Sequence, residues 1–113
     1  MKARILTFTA CTLVAMNASA APDFSGCDVL RVIATGEQNG HVHLSCQVSN
    51  LPACATANQF VAFDRSTTTG KHYMAMFMSA QAMGGKVEGN IDRASCAPWQ
   101  SNVGVLTYLS VTK

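Results

Sequence analysis

His41 and His43 stand two positions apart, so in an extended strand both imidazoles leave the same face, and two imidazoles on one face can begin a zinc or copper site. No third ligand lies nearby in sequence, and His72 could join only if the fold carried it to that strand. The expectation is two solvated histidines on the polar face of a hairpin. Ser45 continues the same row, and the face offers ligand contact rather than metal chemistry. The competing reading is a small periplasmic metal-handling protein or enzyme that uses His41, His43 and His72. Trp99, the one tryptophan, stands between Pro98 and Gln100 in a loop segment. Exposed, it would be a stacking platform for a sugar or a partner protein; packed on a nearby disulfide, it is a plug, and the plug is expected.

Other chemistry fits less well. Thr67-Thr-Thr-Gly-Lys71 superficially matches a phosphate loop, but the pattern needs a glycine where Arg65 stands and a Ser or Thr where His72 stands. Helix capping by Asp64 or Ser66 is the expected role of this stretch. There is no Gly-x-Ser-x-Gly elbow, and the six acidic residues are scattered over turns and strand ends. No catalytic residue, cofactor or metal is expected.

The N-terminus explains the cysteines. Lys2 and Arg4 precede an apolar run over 5–16, and Ala18-Ser19-Ala20 is the small-x-small pattern of a signal-peptidase site. A signal peptide over 1–20 is expected, followed by one domain over 21–113 that is secreted or periplasmic. The apolar run continues past Cys11, as in an ordinary leader rather than an acylated one. Such a run is too short to cross a bilayer core of roughly 30 Å, and no later segment is long and apolar enough. No membrane association is expected once the leader is cleaved. Of the five cysteines, Cys27, Cys46, Cys54 and Cys96 lie beyond the leader, an even set suited to two disulfides in an oxidising compartment. The Cys46-x7-Cys54 spacing is not that of a zinc knuckle. Beyond the leader, six bases (Arg31, Arg65, Lys71, Lys86, Arg93, Lys113) face six acids (Asp23, Asp28, Glu37, Asp64, Glu88, Asp92). No basic stripe is visible for a phosphate backbone, which argues against nucleic acid as a partner.

The elements that must position these residues follow from pattern. Residues 28–35 are aliphatic and β-branched, and Glu37-Gln-Asn-Gly40 follows; Asn-Gly is a strong hairpin signal. His41, His43 and Ser45 alternate with Val42, Leu44 and Cys46, so one face is polar and the other turns inward. Residues 50–58 read as a loop and 59–63 as a third strand. Tyr73, Met76, Phe77, Ala80 and Met83 recur at helical spacing and end at Gly84-Gly85, which predicts a helix over 68–83. Met74 and Met78 widen its apolar stripe, so coverage on more than one side is expected. Strands over 86–92 and 103–112 flank a loop over 94–102. The order β-β-β-α-β-β is that of a mainly β chain with one helix, a five-stranded OB-fold-like Greek-key barrel whose helix closes one end.

A tight turn at Asn39-Gly40 would set Cys27 opposite a residue near 52, closer to Cys54 than to Cys46. From the residues alone, three disulfide connectivities stay open.

The stretch Ala62-Phe-Asp-Arg-Ser-Thr-Thr-Thr-Gly-Lys71, the helix after it, and Gly84-Gly-Lys-Val87 resemble a group of small secreted bacterial proteins with an AFD-x-(S/T)-T-x-x-GK start and a GK-x-V exit. Cys54-Ala55 and Cys96 match that group's cysteines. The group resembles the B subunits of AB5 toxins of the subtilase-cytotoxin and pertussis-like type, OB-folds that form pentameric rings and bind glycans. The resemblance implies a Cys54 to Cys96 disulfide, which leaves Cys27 with Cys46. It also implies a non-catalytic binding module, with a glycan or another exported protein as partner and a homo-oligomer, pentameric by analogy. No sugar-contacting segment of the toxin subunits aligns here. The candidate positions for ligand contact are therefore His41, His43 and Ser45, with Trp99 as a further one where its ring is exposed.

Overall fold

The computed structural model describes residues 21–113; the expected leader over 1–20, with Cys11 and its cleavage site, lies outside the described residues. The described chain is mainly β with one helix: β1 Phe24–Cys27, β2 Val29–Thr35, β3 Asn39–Leu44, β4 Phe60–Asp64, α1 Thr68–Met83, β5 Lys86–Ala97 and β6 Gln100–Thr112. The strands form one mixed sheet in the order β1-β5-β6-β4-β3-β2, antiparallel except for the parallel pair β4 and β6. The described strands number six rather than the expected five. The additional one is β1, which pairs with β5, while β2 pairs with β3 on the opposite edge. Only Asp28 separates β1 from β2, so the two edges of the sheet are consecutive in the chain and the sheet must curl to bring them together.

The turn before β3 is not where Asn-Gly suggested. Thr35 pairs with Asn39 and Ala34 with Gly40, so the turn is Gly36-Glu37-Gln38, with Gly36 at a left-handed φ of 62°. Asn39 and Gly40 belong to β3. A Cβ on Gly40 would sit 2.6 Å from the Phe63 ring and 2.8 Å from Arg65 Cγ, so this glycine makes room for a neighbour rather than a bend. The earlier turn, with the bulge between Val29 and Arg31, shifts the register and brings Cys27 to Cys46.

Two disulfides join Cys27 to Cys46 and Cys54 to Cys96, across separations of 19 and 42 residues. By loop entropy alone they contribute about 3 and about 4 kcal/mol. Such bridges suit an oxidising extracellular or periplasmic setting. Among the described residues no helix is long and apolar enough to cross a membrane.

Helix α1 starts on a Thr67 cap rather than on Asp64 or Ser66. Thr67 Oγ1 accepts from the Gly70 N–H at 2.9 Å, while Asp64 Oδ1 accepts from the Ser66 N–H and makes the preceding turn. A Cβ on Gly70 would reach 1.7 Å from the Asp64 carbonyl oxygen, so the glycine of Thr-Gly-Lys lets the first helical turn lie on its own lead-in. Gly84, at a φ of 72°, ends the helix as its N–H returns to Ala80 O. Gly70, Phe77 and Ala80 are buried, with Tyr73, Met74 and Met76 packed beside the core. Met78 and Met83 are exposed, contrary to the expected stripe. Met78 lies about 100° round the helix from Phe77, beyond the face that the sheet covers.

The expected loop over 94–102 is a hairpin tip. Strands β5 and β6 run on to the pair Ala97 and Gln100, with Pro98-Trp99 between them. The start of the domain is pinned by Asp23, whose side chain is 1 % exposed. Its carboxylate accepts from Asn50 Nδ2 at 2.7 Å, Arg93 Nη2 at 2.7 Å and the Ile91 N–H at 2.9 Å. Burial opposes its ionisation, but the hydrogen bonds from Ile91, Asn50 and Arg93 and the charge of Arg93 outweigh burial and hold its pKa below the ordinary carboxylate value.

Candidate functional site

The polar row of β3 sits as the alternation requires: Val42 and Leu44 are fully buried, and His41 and His43 are half-buried on the opposite face. Pairing then supplies neighbours. His43 faces Phe60 across β3 and β4, and the two rings stack with centroids 4.6 Å apart and planes 5° from parallel. His41, diagonal to Phe60, meets the same ring at 5.8 Å and 50°. On the other flank, β2 sets Ile33 beside His41 and Arg31 beside His43.

Beside this stack lies a hollow of about 180 Å³ lined by His41, Ala57, Phe60, Gln100, Asn102 and Val103. Its walls come from four places in the chain. Strand β3 brings His41, β4 brings Phe60, and the head of β6 brings Gln100, Asn102 and Val103. The loop before β4 brings Ala57, held there because Asn102 O accepts from the N–H groups of Thr56 and Ala57 at 3.0 and 3.1 Å. The Cys54 to Cys96 disulfide ties that loop to β5. Gln100 is half-buried and Asn102 exposed, which puts two carboxamides at the rim of an aromatic wall. Burial, and secondarily the charge of Arg31, lowers the His41 pKa below the ordinary histidine value, so the ring is neutral at neutral pH. Asn39, which is 8 % exposed, sets Nδ2 2.7 Å from Thr35 Oγ1 and 3.1 Å from His41 Nδ1.

The expected site residues do not all gather here. Ser45 is exposed, and its Oγ accepts from the Asp28 N–H at 2.8 Å, so it braces the junction of β1 and β2. Trp99 is half-buried at the β5–β6 tip and faces the start of α1. It lines a separate hollow of about 170 Å³ with Phe63, Asp64, Thr67, Tyr73 and Leu106 among others, and its indole Nε1 is buried without a partner. His72 is exposed on the first turn of α1. Among the described residues, no three His, Cys, Asp or Glu side chains gather as a metal site would require. The four cysteines among the described residues are all in disulfides.

Sequence reasoning missed Phe60, Gln100, Asn102 and Asn39. Phe60 carried little signal: it opens an unbroken apolar run in which Val61, Ala62 and Phe63 are all buried, so alternation does not say which way it faces. Gln100 and Asn102 carried none, because only the pairing of β6 with β4 brings them to His41.

Comparison with protein-family models, curated proteins and solved structures found no match to this chain.

Proposed function

We propose that this protein is an exported, non-catalytic binding module whose ligand face is the His41, His43 and Phe60 surface with the hollow edged by Gln100 and Asn102. The parallel stack of His43 on Phe60 carries the reading. A flat, half-exposed aromatic wall next to two carboxamides and a neutral imidazole can pack the apolar face of a ring while hydrogen-bonding its substituents. A glycan is the first ligand to test, and an exported protein the second.

The finer architecture belongs to the same proposal. A sheet whose two edge strands are consecutive, with a parallel pair between β4 and β6 and a single helix between β4 and β5, supports an OB-type barrel in which β1 and β2 form one bent strand. Ring assembly, which the resemblance implies, finds support in the apolar surface around the helix, where Leu30, Met78, Met83 and Tyr108 are 47 to 58 % exposed.

The test is a glycan array and a periplasmic pull-down with the oxidised mature protein, followed by amide NMR with whatever binds. Phe60→Ala should weaken binding about tenfold or more, the equivalent of 1.4 kcal/mol. Ligand shifts should centre on Phe60, Gln100 and Asn102. Binding unchanged in Phe60→Ala and in a Gln100→Ala, Asn102→Ala variant would refute this site. Light scattering after size exclusion tests the ring, and a strict monomer refutes that part alone.

A further inference from the structure

We infer that Asn39 holds His41 in the Nε2–H tautomer, so that the hollow beside Phe60 meets its occupant with a hydrogen-bond donor. The consequence for a ligand rests on the binding reading above; the tautomer itself does not.

The donors and acceptors around the buried Asn39 amide fix its orientation. The Asn39 carboxamide has two polar neighbours, Thr35 Oγ1 at 2.7 Å and His41 Nδ1 at 3.1 Å, both on its Nδ2 side. In this orientation both Nδ2 hydrogens are donated, and the buried Oδ1 is left without a partner. With the amide turned over, Oδ1 would accept from the Thr35 hydroxyl and from a proton on Nδ1, while Nδ2 would keep two buried N–H groups with no acceptor. One under-used carbonyl oxygen costs less than two orphaned donors, because unpartnered buried N–H groups are the rarer case in folded proteins. The orientation seen therefore wins, and it requires a bare lone pair on Nδ1.

A neutral imidazole with Nδ1 bare carries its proton on Nε2. The ring stays neutral because burial and then Arg31 both disfavour the imidazolium. Of the acids near Asn39, Asp64 lies opposite it in the register, but its carboxylate is taken up by Ser66 and by Gln38. It does not claim the Nδ1 position. Nδ1 being engaged, Nε2 is the nitrogen left for the hollow that His41 lines. An occupant must then offer an acceptor oxygen, a carbonyl, carboxylate or hydroxyl, at that point, and a bare N–H of the ligand is disfavoured there. Asn39 touches no ligand in this scheme; it is a positioning residue.

Nitrogen NMR of the imidazoles in isotope-labelled protein, with no ligand added, tests this directly. At neutral pH the wild type should show His41 with Nε2 protonated and Nδ1 bare. Asn39→Asp places a pure acceptor beside Nδ1 and should put a proton on that nitrogen; Asn39→Ala should return the ring to the intrinsic population of a free imidazole, mainly Nε2–H with a measurable Nδ1–H fraction that the wild type lacks. A wild-type spectrum with an Nδ1–H form overturns the inference, and so does an Nε2–H form that persists in Asn39→Asp or an Nδ1–H fraction no larger in Asn39→Ala than in the wild type. Should Asn39→Asp not fold, the wild-type and Asn39→Ala spectra decide. A confirmed tautomer together with unchanged binding in both Phe60→Ala and the Gln100→Ala, Asn102→Ala variant would sink the binding reading and leave the tautomer standing. The opposite pair of results would do the reverse.

Discussion

Replacing Asp23 should cost this domain more than any other single charge, although it lies three residues into the described chain. Its carboxylate is 1 % exposed and takes three hydrogen bonds, from the Ile91 backbone, Asn50 and Arg93. In Asp23→Ala the Arg93 and Asn50 side chains can turn to water, so they lose bonds without being stranded, and the exposed Arg93 end of the ion pair is discounted for screening. The Ile91 N–H cannot follow: Ile91 is 4 % exposed, and its orphaned donor costs about 1–3 kcal/mol. Adding the lost charge-assisted bonds gives about 3–5 kcal/mol. Asp23→Asn keeps the shape and one acceptor and should lose about half as much, and Arg93→Ala about 1 kcal/mol.

Urea unfolding followed by circular dichroism at neutral pH measures all three. Because the folded pKa of Asp23 is depressed, its contribution is fully present above the unfolded value of about 3.9 and is lost as pH falls through the folded value. The gap between wild type and Asp23→Ala should therefore close in acid. A loss below about 1 kcal/mol in Asp23→Ala, or one no larger than in Arg93→Ala, would refute the reasoning.

Four further outcomes follow from the geometry. Gly40→Ala drives a Cβ to 2.6 Å from the Phe63 ring and should cost about 1–3 kcal/mol in thermal unfolding, by overpacking rather than by turn strain. Thr67→Ala should cost about 1 kcal/mol, while Ser66→Ala, outside the cap, costs less in the same assay. Under graded dithiol reduction with alkylation and mass spectrometry, Cys54 and Cys96 should be modified before Cys27 and Cys46, because Cys54 is exposed and Cys27 is fully buried. His41, with its lowered folded pKa, should make stability fall as pH drops below about 6.5 toward that value; His41→Gln should flatten this part of the pH profile.

Local periodicity and punctuation made some of this molecule legible before any fold was known. The helix over 68–83 could be read because its apolar spacing is 3.6 residues and Gly84 is a left-handed stop, both properties of consecutive residues. The outward row of His41 and His43 could be read because strand alternation has a period of two. An even set of four cysteines beyond a leader pattern pointed to disulfides. The same local logic misplaced the turn at Asn39-Gly40, since a glycine kept for the close approach of Phe63 looks in sequence like one kept for a bend. It also assigned Met83 to the core, although helical spacing says which residues share a face and not how wide a face the sheet will cover.

What the tertiary structure alone decided is register and convergence. Moving the turn to Gly36-Glu37-Gln38 brings Cys27 to Cys46, and the parallel pairing of β6 with β4 carries Gln100 and Asn102 to His41 and Phe60. Gln100 and Asn102 lie 40 or more positions from Phe60 and His41 in the chain, and nothing local links them. A surface of this kind is made by strand pairing, whose hydrogen bonds are the same for every residue type, so the side chains that end up facing one another are set by register rather than by their own identity.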